Sequence, residues 1–381
     1  MHSDIKKIIG LFLIWKAFLI ICLFFALNFI PLAQTDRYLG GGLSNYLTNP
    51  YLFSWANFDG EHYLSIAIFG YKGLEQAFFP VYPILIHFFS RPDIFNLNTS
   101  LFSAVSWGLI ISNLTFAGSL ILLFKLIKFD YPSKIAWLTL ILLLVFPTSF
   151  YFGALYSESI FLLISLGSFY FARKGNFFLA SLLGILSSAT RVFGVLLLPA
   201  FFLEARIQKV PFKKYFWILF IPAGLLAYMT YQWWLVGDPL AFYNVQTNVG
   251  EHRTSGITLL PQIYFRYLKI LLTYDITSPL YQTILLEFIA GISFLLLPIY
   301  GYFKKVRFSY LAYSLLGFLM TTIHGSFSSV PRYVLVFFPS FLCMALFLVN
   351  QNKLTKWIII SIFIIWLAIE SMLFLRGYWV A

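Results

Sequence analysis

Long, uninterrupted runs of apolar residues constrain the fold of this chain more than any other feature. Nine runs are at or near the roughly 20 residues that a helix needs to cross a bilayer. They do not alternate between apolar and polar residues, so they predict helices and not the strands of a barrel. They lie near residues 8–33, 102–127, 135–150, 156–172, 215–236, 279–303, 308–324, 332–349 and 357–375.

The composition requires that most of this apolar surface faces lipid. Hydrophobic residues make up 60% of the 381 residues and charged residues only 10%. Soluble domains carry about 25% charged residues. A soluble fold would leave much apolar side-chain surface in water, and lipid removes that conflict. The sequence therefore predicts an all-α, polytopic transmembrane helical bundle that forms one domain over residues 1–381, surrounded by membrane lipids.

The net charge of +12 does not indicate nucleic acid as a partner. The basic residues stand in short clusters between apolar runs, which is typical of loops held on the cytoplasmic side of a membrane. Cys22 and Cys343 both lie inside apolar runs, so neither suggests a metal site. The first run, after Lys6 and Lys7, is too long for a signal-peptide core and predicts an uncleaved first span.

The segment 177–203 has Arg191 at its centre and allows two interpretations. A single span would bury the arginine near the middle of the membrane, at a cost of about 2.5–3.5 kcal/mol. Two short helices that meet at Arg191 would place it at the far surface. If the N-terminus is cytoplasmic, this second interpretation places 16 of the 26 basic residues in short cytoplasmic segments.

The charge pattern therefore predicts about eleven membrane segments, including the two half-helices, with a cytoplasmic N-terminus and an external C-terminus. Loops 34–101 and 237–278 then lie on the outer face, and the first forms a loop domain between the first two spans. The sequence shows no internal repeat of the kind that many transporters contain.

The first outer loop contains a dense polar cluster of Asp59, Glu61 and His62 between aromatic residues. An Asp-Gly pair usually marks a solvated turn, which is one interpretation. The aromatic neighbours favour another, in which they hold the Asp59 carboxylate close to the bilayer. The segment 78–89 is apolar but short and contains two prolines, so we expect it to lie in the interface.

Other polar groups fall on the same outer face, and most have a structural alternative. Glu158 is either a first-turn carboxylate in a helix capped by Ser157 or a functional group at the membrane boundary. Arg191, at the tip of two half-helices, is a natural contact for an anion. Arg332 is either a second cation of the site or a side chain that extends to the interface from a helix end. His324 is either a site residue or an interfacial histidine.

Asp59, Glu158, Arg191 and Arg332 lie within a series of short motifs. In chain order these are Phe58-Asp59-Gly60-Glu61-His62-Tyr63, Ile66-Ala67, Gly70-Tyr71, Phe78-Phe79-Pro80-Val81-Tyr82-Pro83, Tyr156-Ser157-Glu158-Ser159, Thr190-Arg191 with Gly194, Pro331-Arg332-Tyr333 with Pro339, and Trp379-Val380. In this order they resemble the PIG-V-like mannosyltransferases of the GT-C superfamily of membrane glycosyltransferases. The resemblance covers nearly the whole chain. The family usually has Trp at Phe58 and Pro at Val192 and Val336, and none of these departures removes a titratable group.

The resemblance implies transfer of a sugar, typically mannose, from a polyprenyl-phosphate donor to a hydroxyl of a lipid-linked or cell-envelope glycan acceptor. Inversion at the sugar needs one base, and Asp59 is the candidate. Glu61 and His62 would position the acceptor or orient Asp59. No cofactor is required, although the Asp59-Gly60-Glu61 spacing is compatible with a divalent cation.

A phosphate leaving group needs cations more than it needs a general acid. The residues expected to bind the donor phosphate are Arg191, Arg332, His324 and Tyr333. Glu158 and Tyr156 are further site candidates. The site would face outward from the plasma membrane of a prokaryote, or into the lumen in a eukaryote.

Two other functions remain open. A transporter or flippase of a lipid-linked or anionic substrate would place its charges at mid-membrane, whereas the charges here gather on one face. A non-catalytic membrane protein would leave the Asp59 cluster without a role. The triplet 251–253 is expected to be a solvated loop, and Lys16, Glu287 and Glu370 within apolar runs have no assigned role.

Overall fold

A computed structural model of the chain describes residues 2–34, 39–246, 258–323 and 325–380. Every regular element in these ranges is a helix, which confirms the all-α prediction. In chain order the α-helices are α1 His2–Phe29, α2 Leu43–Thr48, α3 Pro50–Phe53, α4 Asp59–Phe69, α5 Val81–Ser90, α6 Leu97–Ile127, α7 Ser133–Val145, α8 Glu158–Arg173, α9 Phe177–Thr190, α10 Leu197–Ile207, α11 Tyr215–Ile218, α12 Ala223–Val236, α13 Ala241–Asn244, α14 Leu260–Thr273, α15 Pro279–Phe303, α16 Phe308–Thr322, α17 Val330–Tyr333, α18 Phe338–Leu348 and α19 Lys353–Leu375.

Five helices are long and apolar enough to cross a membrane, which is what an integral membrane protein requires. A bent pair, Val330–Val336 with Phe338–Leu348, makes a sixth if it is counted as one span. The remaining predicted segments form shorter helices, such as α7, α9 and α16. The five long spans are Ser3–Phe29, Leu97–Ile127, Tyr215–Val236 (α11 and α12 taken as one span), Pro279–Phe303 and Lys353–Leu375.

The segment 177–203 breaks at Arg191, as its charge predicts. Helix α9 ends at Thr190, and Arg191 is extended, with φ −155° and ψ 148°. A short 3₁₀ turn, Val192–Leu196, then leads into α10. A Cβ on Gly194 would lie 2.3 Å from the Ser187 carbonyl carbon, so this close return of the chain needs a glycine.

The segment predicted as a continuous span at 332–349 is bent instead. The two helices of the pair meet at 89°, at the break formed by Phe337. The Phe337 ring fills the space beside Gly317, where a Cβ would lie 2.2 Å from the ring. The bend turns the short helix α17, which carries Arg332, away from the axis of α18.

The C-terminal end of α8 carries a cluster of paired charges. Glu204 is fully buried there and accepts hydrogen bonds from Arg307 Nε at 2.6 Å and Ser309 Oγ at 2.7 Å. Arg173 lies 3.5 Å from the same carboxylate and donates to Asp130 at 2.7 Å. Buried ions are tolerated only in such pairs, so these contacts hold α6, α8, α10 and α16 together at this end.

Replacing Arg307 by methionine tests this cluster. Arg307→Met keeps the apolar stem but removes the cation nearest to the buried Glu204 carboxylate, so we expect the free energy of unfolding to fall by about 3 kcal/mol. Thermal denaturation in detergent measures the change. Lys304→Met, at an exposed position of the same loop, is the control. Equal melting temperatures for the two variants would contradict the pairing.

Candidate active site

Asp59 is the first residue of α4, and a strained residue precedes it. Phe58, at the N-cap, has φ 56° and ψ −118°, a conformation that residues other than glycine rarely adopt. Its buried ring packs against Phe374 and Trp379, with centroids 5.8 and 5.6 Å away. Such packing holds the unfavourable backbone in place. Asp59 therefore starts a helix, which excludes the solvated Asp-Gly turn.

Asn57 fixes the backbone just before Asp59. Its amide donates to the Phe374 carbonyl and accepts from the Gly40 N–H, both at 2.9 Å. The Tyr156 hydroxyl donates to the Asn57 carbonyl at 2.9 Å. Asn57 is fully buried, so these bonds determine where α4 begins. Sequence reasoning overlooked Asn57, although it stands directly before the first-loop motif Phe58–Tyr63.

The start of α8 is tied to the start of α4. The Leu155 N–H donates to the Trp55 carbonyl at 2.9 Å. Lys16, whose role the sequence left open, donates to the Gly153 carbonyl at 3.4 Å and lies 4.6 Å from the centre of the Trp55 ring. These contacts bring the starts of α4 and α8, which carry Asp59 and Glu158, side by side.

Glu158 is buried at the N-terminus of α8 and pairs with Arg191. Its Oε1 lies 2.5 Å from Arg191 Nη1, and the side chains are 1% and 13% exposed. Ser157 stands at the N-cap and Glu158 in the first turn of α8, as the structural alternative has it, but the Ser157 side chain makes no capping hydrogen bond. Its hydroxyl instead accepts from Arg191 at 3.3 Å and exchanges a hydrogen bond with Tyr63 at 2.8 Å. Glu158 therefore orients an arginine of the site.

Arg332 joins the two acidic residues. Its Nη1 lies 2.7 Å from Asp59 Oδ2, and its Nε lies 3.8 Å from Glu158 Oε1. It is 5% exposed, which excludes a side chain that extends to the interface. Its Nη2 donates to the Tyr333 hydroxyl at 3.1 Å, and its guanidinium lies 5.5 Å from the centre of the Tyr156 ring. Cation–π contacts of this kind favour a desolvated arginine.

Asp59, Arg332, Glu158 and Arg191 thus form one chain of alternating charges. Asp59, Arg191 and Arg332 line a cavity of about 220 Å³, together with Tyr333. The Asp59 side chain is 24% exposed and Glu158 only 1%. The cavity therefore presents one accessible carboxylate and two cations to a substrate, with the second carboxylate behind the arginines.

Residues 38–227 match the family model described as Mannosyltransferase (PIG-V). The chain belongs to the PIG-V mannosyltransferase family. It is accordingly a membrane glycosyltransferase, which acts on a sugar donor and an acceptor. No curated protein and no solved structure matches the chain.

The family match contains Asp59, Glu158 and Arg191 but ends before Arg332. The fold nevertheless brings Arg332 onto Asp59, 273 positions away in the chain. The candidate site therefore draws on both the matched part of this chain and the part beyond it. Local sequence patterns do not contain a pairing over this separation.

Among the described residues of this PIG-V family member, four predicted site residues do not line the cavity: Glu158 and Tyr156 lie behind it, and Glu61 and His62 lie elsewhere. The Glu61 carboxylate accepts from the Gly42 N–H at 3.3 Å. The His62 ring stacks on Phe78, with centroids 4.7 Å apart, and Phe78 in turn forms part of the cavity wall. His324 and the triplet 251–253 lie outside the described residues.

The structure offers little support for a cation at Asp59-Gly60-Glu61, since Glu61 is absent from the cavity that Asp59 lines. Within the ranges that the structure covers, no group of three or more His, Cys, Asp or Glu side chains could hold a metal ion. Glu370 is buried in α19 and no role follows from its position.

Replacing Glu158 by glutamine tests the charge chain. Glu158→Gln leaves the buried Arg191 and Arg332 without the carboxylate between them, so we expect the free energy of unfolding to fall by about 3 kcal/mol. Thermal denaturation of the ligand-free protein in detergent reports this loss. Glu61→Gln keeps an acceptor for Gly42 and is the control. If Glu158→Gln melts no lower than Glu61→Gln, the alternating charges are not a structural unit.

Proposed function

We propose that the chain transfers a mannosyl group from a polyprenyl-phosphate donor to a hydroxyl of a lipid-linked or cell-envelope glycan acceptor, with inversion. Family membership supports the transfer of a sugar. The observation that carries the rest is the convergence of Asp59, Arg191 and Arg332 on one cavity. A carboxylate beside two cations suits a reaction in which an alcohol attacks and a phosphate leaves.

The two arginines are the proposed contacts of the donor phosphate. Their guanidinium groups stay charged at any physiological pH and can bind two phosphate oxygens at once. Arg191 lies in a break between two helices, and Arg332 lies in the short helix α17. Tyr333 lies beside both guanidinium groups, with its ring centre 5.5 Å from Arg191 and 4.9 Å from Arg332. It completes this side of the donor site.

Asp59 is the proposed base. The acceptor oxygen attacks the anomeric carbon as the bond from that carbon to the phosphate oxygen breaks. The hydroxyl proton passes to Asp59, and the polyprenyl phosphate leaves with the bonding electrons and is stabilised by the arginines. When the donor binds, its phosphate pairs with Arg332. The ion pair between Arg332 and Asp59 is then weaker, and the Asp59 carboxylate is free to accept the proton.

The burial of Glu158 supports inversion. A retaining mechanism needs a second carboxylate that can reach the anomeric carbon as a nucleophile. Glu158 is 1% exposed and occupied by Arg191, so it serves to align the arginines. A single accessible carboxylate fits direct displacement, in which the acceptor attacks from the face opposite the phosphate.

Glu61 and His62 have supporting roles in this proposal. Glu61, in the first turn of α4, anchors the helix start to Gly42, and His62 supports the cavity wall through Phe78. The hydrogen bond from Tyr156 to Asn57 holds the loop before Asp59. These residues orient Asp59, and none of them transfers a proton.

We also propose that the site faces away from the cytoplasm, in a topology of eleven membrane segments. Glu158 and Arg173 stand at opposite ends of α8, whose 16 residues span about 24 Å. The basic loops after α6, α8, α10 and α15 belong to the Arg173 end, where Arg173 pairs with Asp130 and both Arg173 and Arg307 pair with Glu204. Basic loops favour the cytoplasm, which leaves the outer side for Asp59.

Replacing Asp59 by asparagine tests the base. Asp59→Asn keeps the side-chain shape but removes the proton acceptor, so we expect kcat for sugar transfer to fall by about 10³-fold. The assay incubates purified protein with labelled polyprenyl-phosphate mannose and a panel of lipid acceptors. Glu61→Gln should keep nearly full activity. Full activity in Asp59→Asn would refute the base assignment. If the wild-type chain consumes the donor but no acceptor becomes labelled, the proposed transfer is refuted.

Cysteine labelling tests the orientation. Cys22 and Cys343 are free and buried, so Ala replacements give a silent background. In that background, a membrane-impermeant maleimide should label Asn98→Cys, at the start of α6, in right-side-out vesicles. It should label Lys353→Cys, at the start of α19, in inverted vesicles. Both positions are exposed. The reverse pattern would place the site on the cytoplasmic face.

A further inference from the structure

Glu287 is a buried carboxylate in the middle of an apolar helix and is not part of the catalytic proposal. It is 4% exposed and lies in α15, between Leu286 and Phe288. A carboxylate in a membrane helix is costly unless it is paired or hydrogen-bonded. Its contacts should therefore show what compensates for its burial.

Both carboxylate oxygens of Glu287 accept hydrogen bonds from outside α15. Oε1 accepts from the Ser329 N–H at 3.2 Å, and Oε2 accepts from the Tyr267 hydroxyl at 2.7 Å. Ser329 is the N-cap of α17 and has φ 63° and ψ 3°, in the left-handed region. This conformation is unfavourable for serine, and the hydrogen bond to Glu287 offsets its cost.

Ser329 in turn controls the helix that carries Arg332. The Arg332 N–H donates to the Ser329 carbonyl at 3.1 Å, as the first hydrogen bond of α17. The guanidinium of Arg332 then reaches Asp59 at 2.7 Å. A shift of the Ser329 backbone would therefore move the guanidinium relative to Asp59 and Arg191.

Helices α14 and α15 form a cradle around the segment 325–329. The Phe327 ring lies between Tyr264 and Tyr267, with centroids 4.9 and 5.0 Å away. A Cβ on Gly291 would lie 2.9 Å from the same ring, so the ring rests directly on α15. Arg266 donates to the Gly325 carbonyl at 2.9 Å. Glu287 is the only acidic group among these contacts, all of which lie within the described residues.

We infer that Glu287 is a positioning residue, which sets Arg332 against the donor phosphate through the backbone of Ser329. This inference rests on the proposed function, because it assigns a purpose to the position of Arg332. It assigns the positioning of Arg332 to the part of the chain beyond the matched residues 38–227. Donor affinity is then determined partly by α14 and α15, which contribute no charge to the cavity wall.

The experiment compares four variants of the full chain in detergent. Glu287→Met removes both acceptor oxygens, Glu287→Gln keeps one, and Tyr267→Phe removes one donor. Tyr264→Phe is the matched control, because Tyr264 lies on the same helix, packs on the same ring and donates to the Gly291 carbonyl at 2.8 Å. It loses one hydroxyl contact with α15, as Tyr267→Phe does, but not a contact with Glu287.

The expected result is a split between the two substrates. In Glu287→Met the KM for polyprenyl-phosphate mannose should rise about tenfold, as for the loss of one charge-assisted hydrogen bond. The KM for the acceptor should stay unchanged, since Glu287 makes its hydrogen bonds with Tyr267 and Ser329 and none with the helix α4 that holds Asp59. Glu287→Gln and Tyr267→Phe should give smaller increases, and Tyr264→Phe none. Equal increases in both KM values would indicate a general structural role and overturn the inference.

Hydrogen exchange supplies a measurement that does not need activity. Amides of peptide 325–333 should exchange faster in Glu287→Met than in the wild type or in Tyr264→Phe. If the wild-type chain transfers no sugar, the proposed function fails while this measurement still reports on the Ser329 anchor. If the wild type transfers sugar but Glu287→Met keeps its donor KM and its exchange rates, the inference fails alone. If Glu287→Met does not fold, the donor KM and the exchange rates of Glu287→Gln and Tyr267→Phe test the inference in its place.

Discussion

The pairing of Arg332 with two carboxylates is the contact on which the rest of the site depends. A buried guanidinium without a partner would cost several kcal/mol in an apolar bundle, so the fold must bring an anion to it. Asp59 and Glu158 both supply one, and Glu158 also pairs with Arg191. One chain of contacts therefore joins the first loop, the start of α8, the break before α10 and the bend near α17.

The same rule operates at the other end of α8 with a different outcome. Glu204 there is surrounded by Arg307, Arg173 and Ser309, and its carboxylate is wholly buried. Those charges satisfy one another, and none of them lines the cavity, although the Asp130 side chain is 28% exposed. Paired charges near Asp59 do line the cavity, and one carboxylate there is 24% exposed. The adjoining cavity separates a candidate substrate site from a cluster that only joins helices.

Local patterns predicted much of this molecule, and long-range pairing explains what they missed. The apolar runs indicated the helices, and the position of Arg191 indicated a break. Ser157 stands at the N-cap of α8, but its hydroxyl forms hydrogen bonds with Tyr63 and Arg191 and not with the helix backbone. The largely buried arginine needs a hydrogen-bond partner more than the helix end does. The bend at Phe337 depends on a ring that packs beside Gly317 from another helix. An isolated Glu287 in an apolar run was the available signal for the anchor of Ser329.

The hydrogen bonds from Asn57 to Phe374 and from Tyr151 to Val380 have a consequence for how the protein is made. The acceptors are made 317 and 229 positions after their donors. A ribosome-bound intermediate that has already inserted the starts of α4 and α8 therefore lacks both acceptors until residues 374–380 have been synthesised. Membrane insertion must tolerate Asp59 without Arg332 over most of this interval, and a chain truncated before Phe374 cannot assemble the cavity.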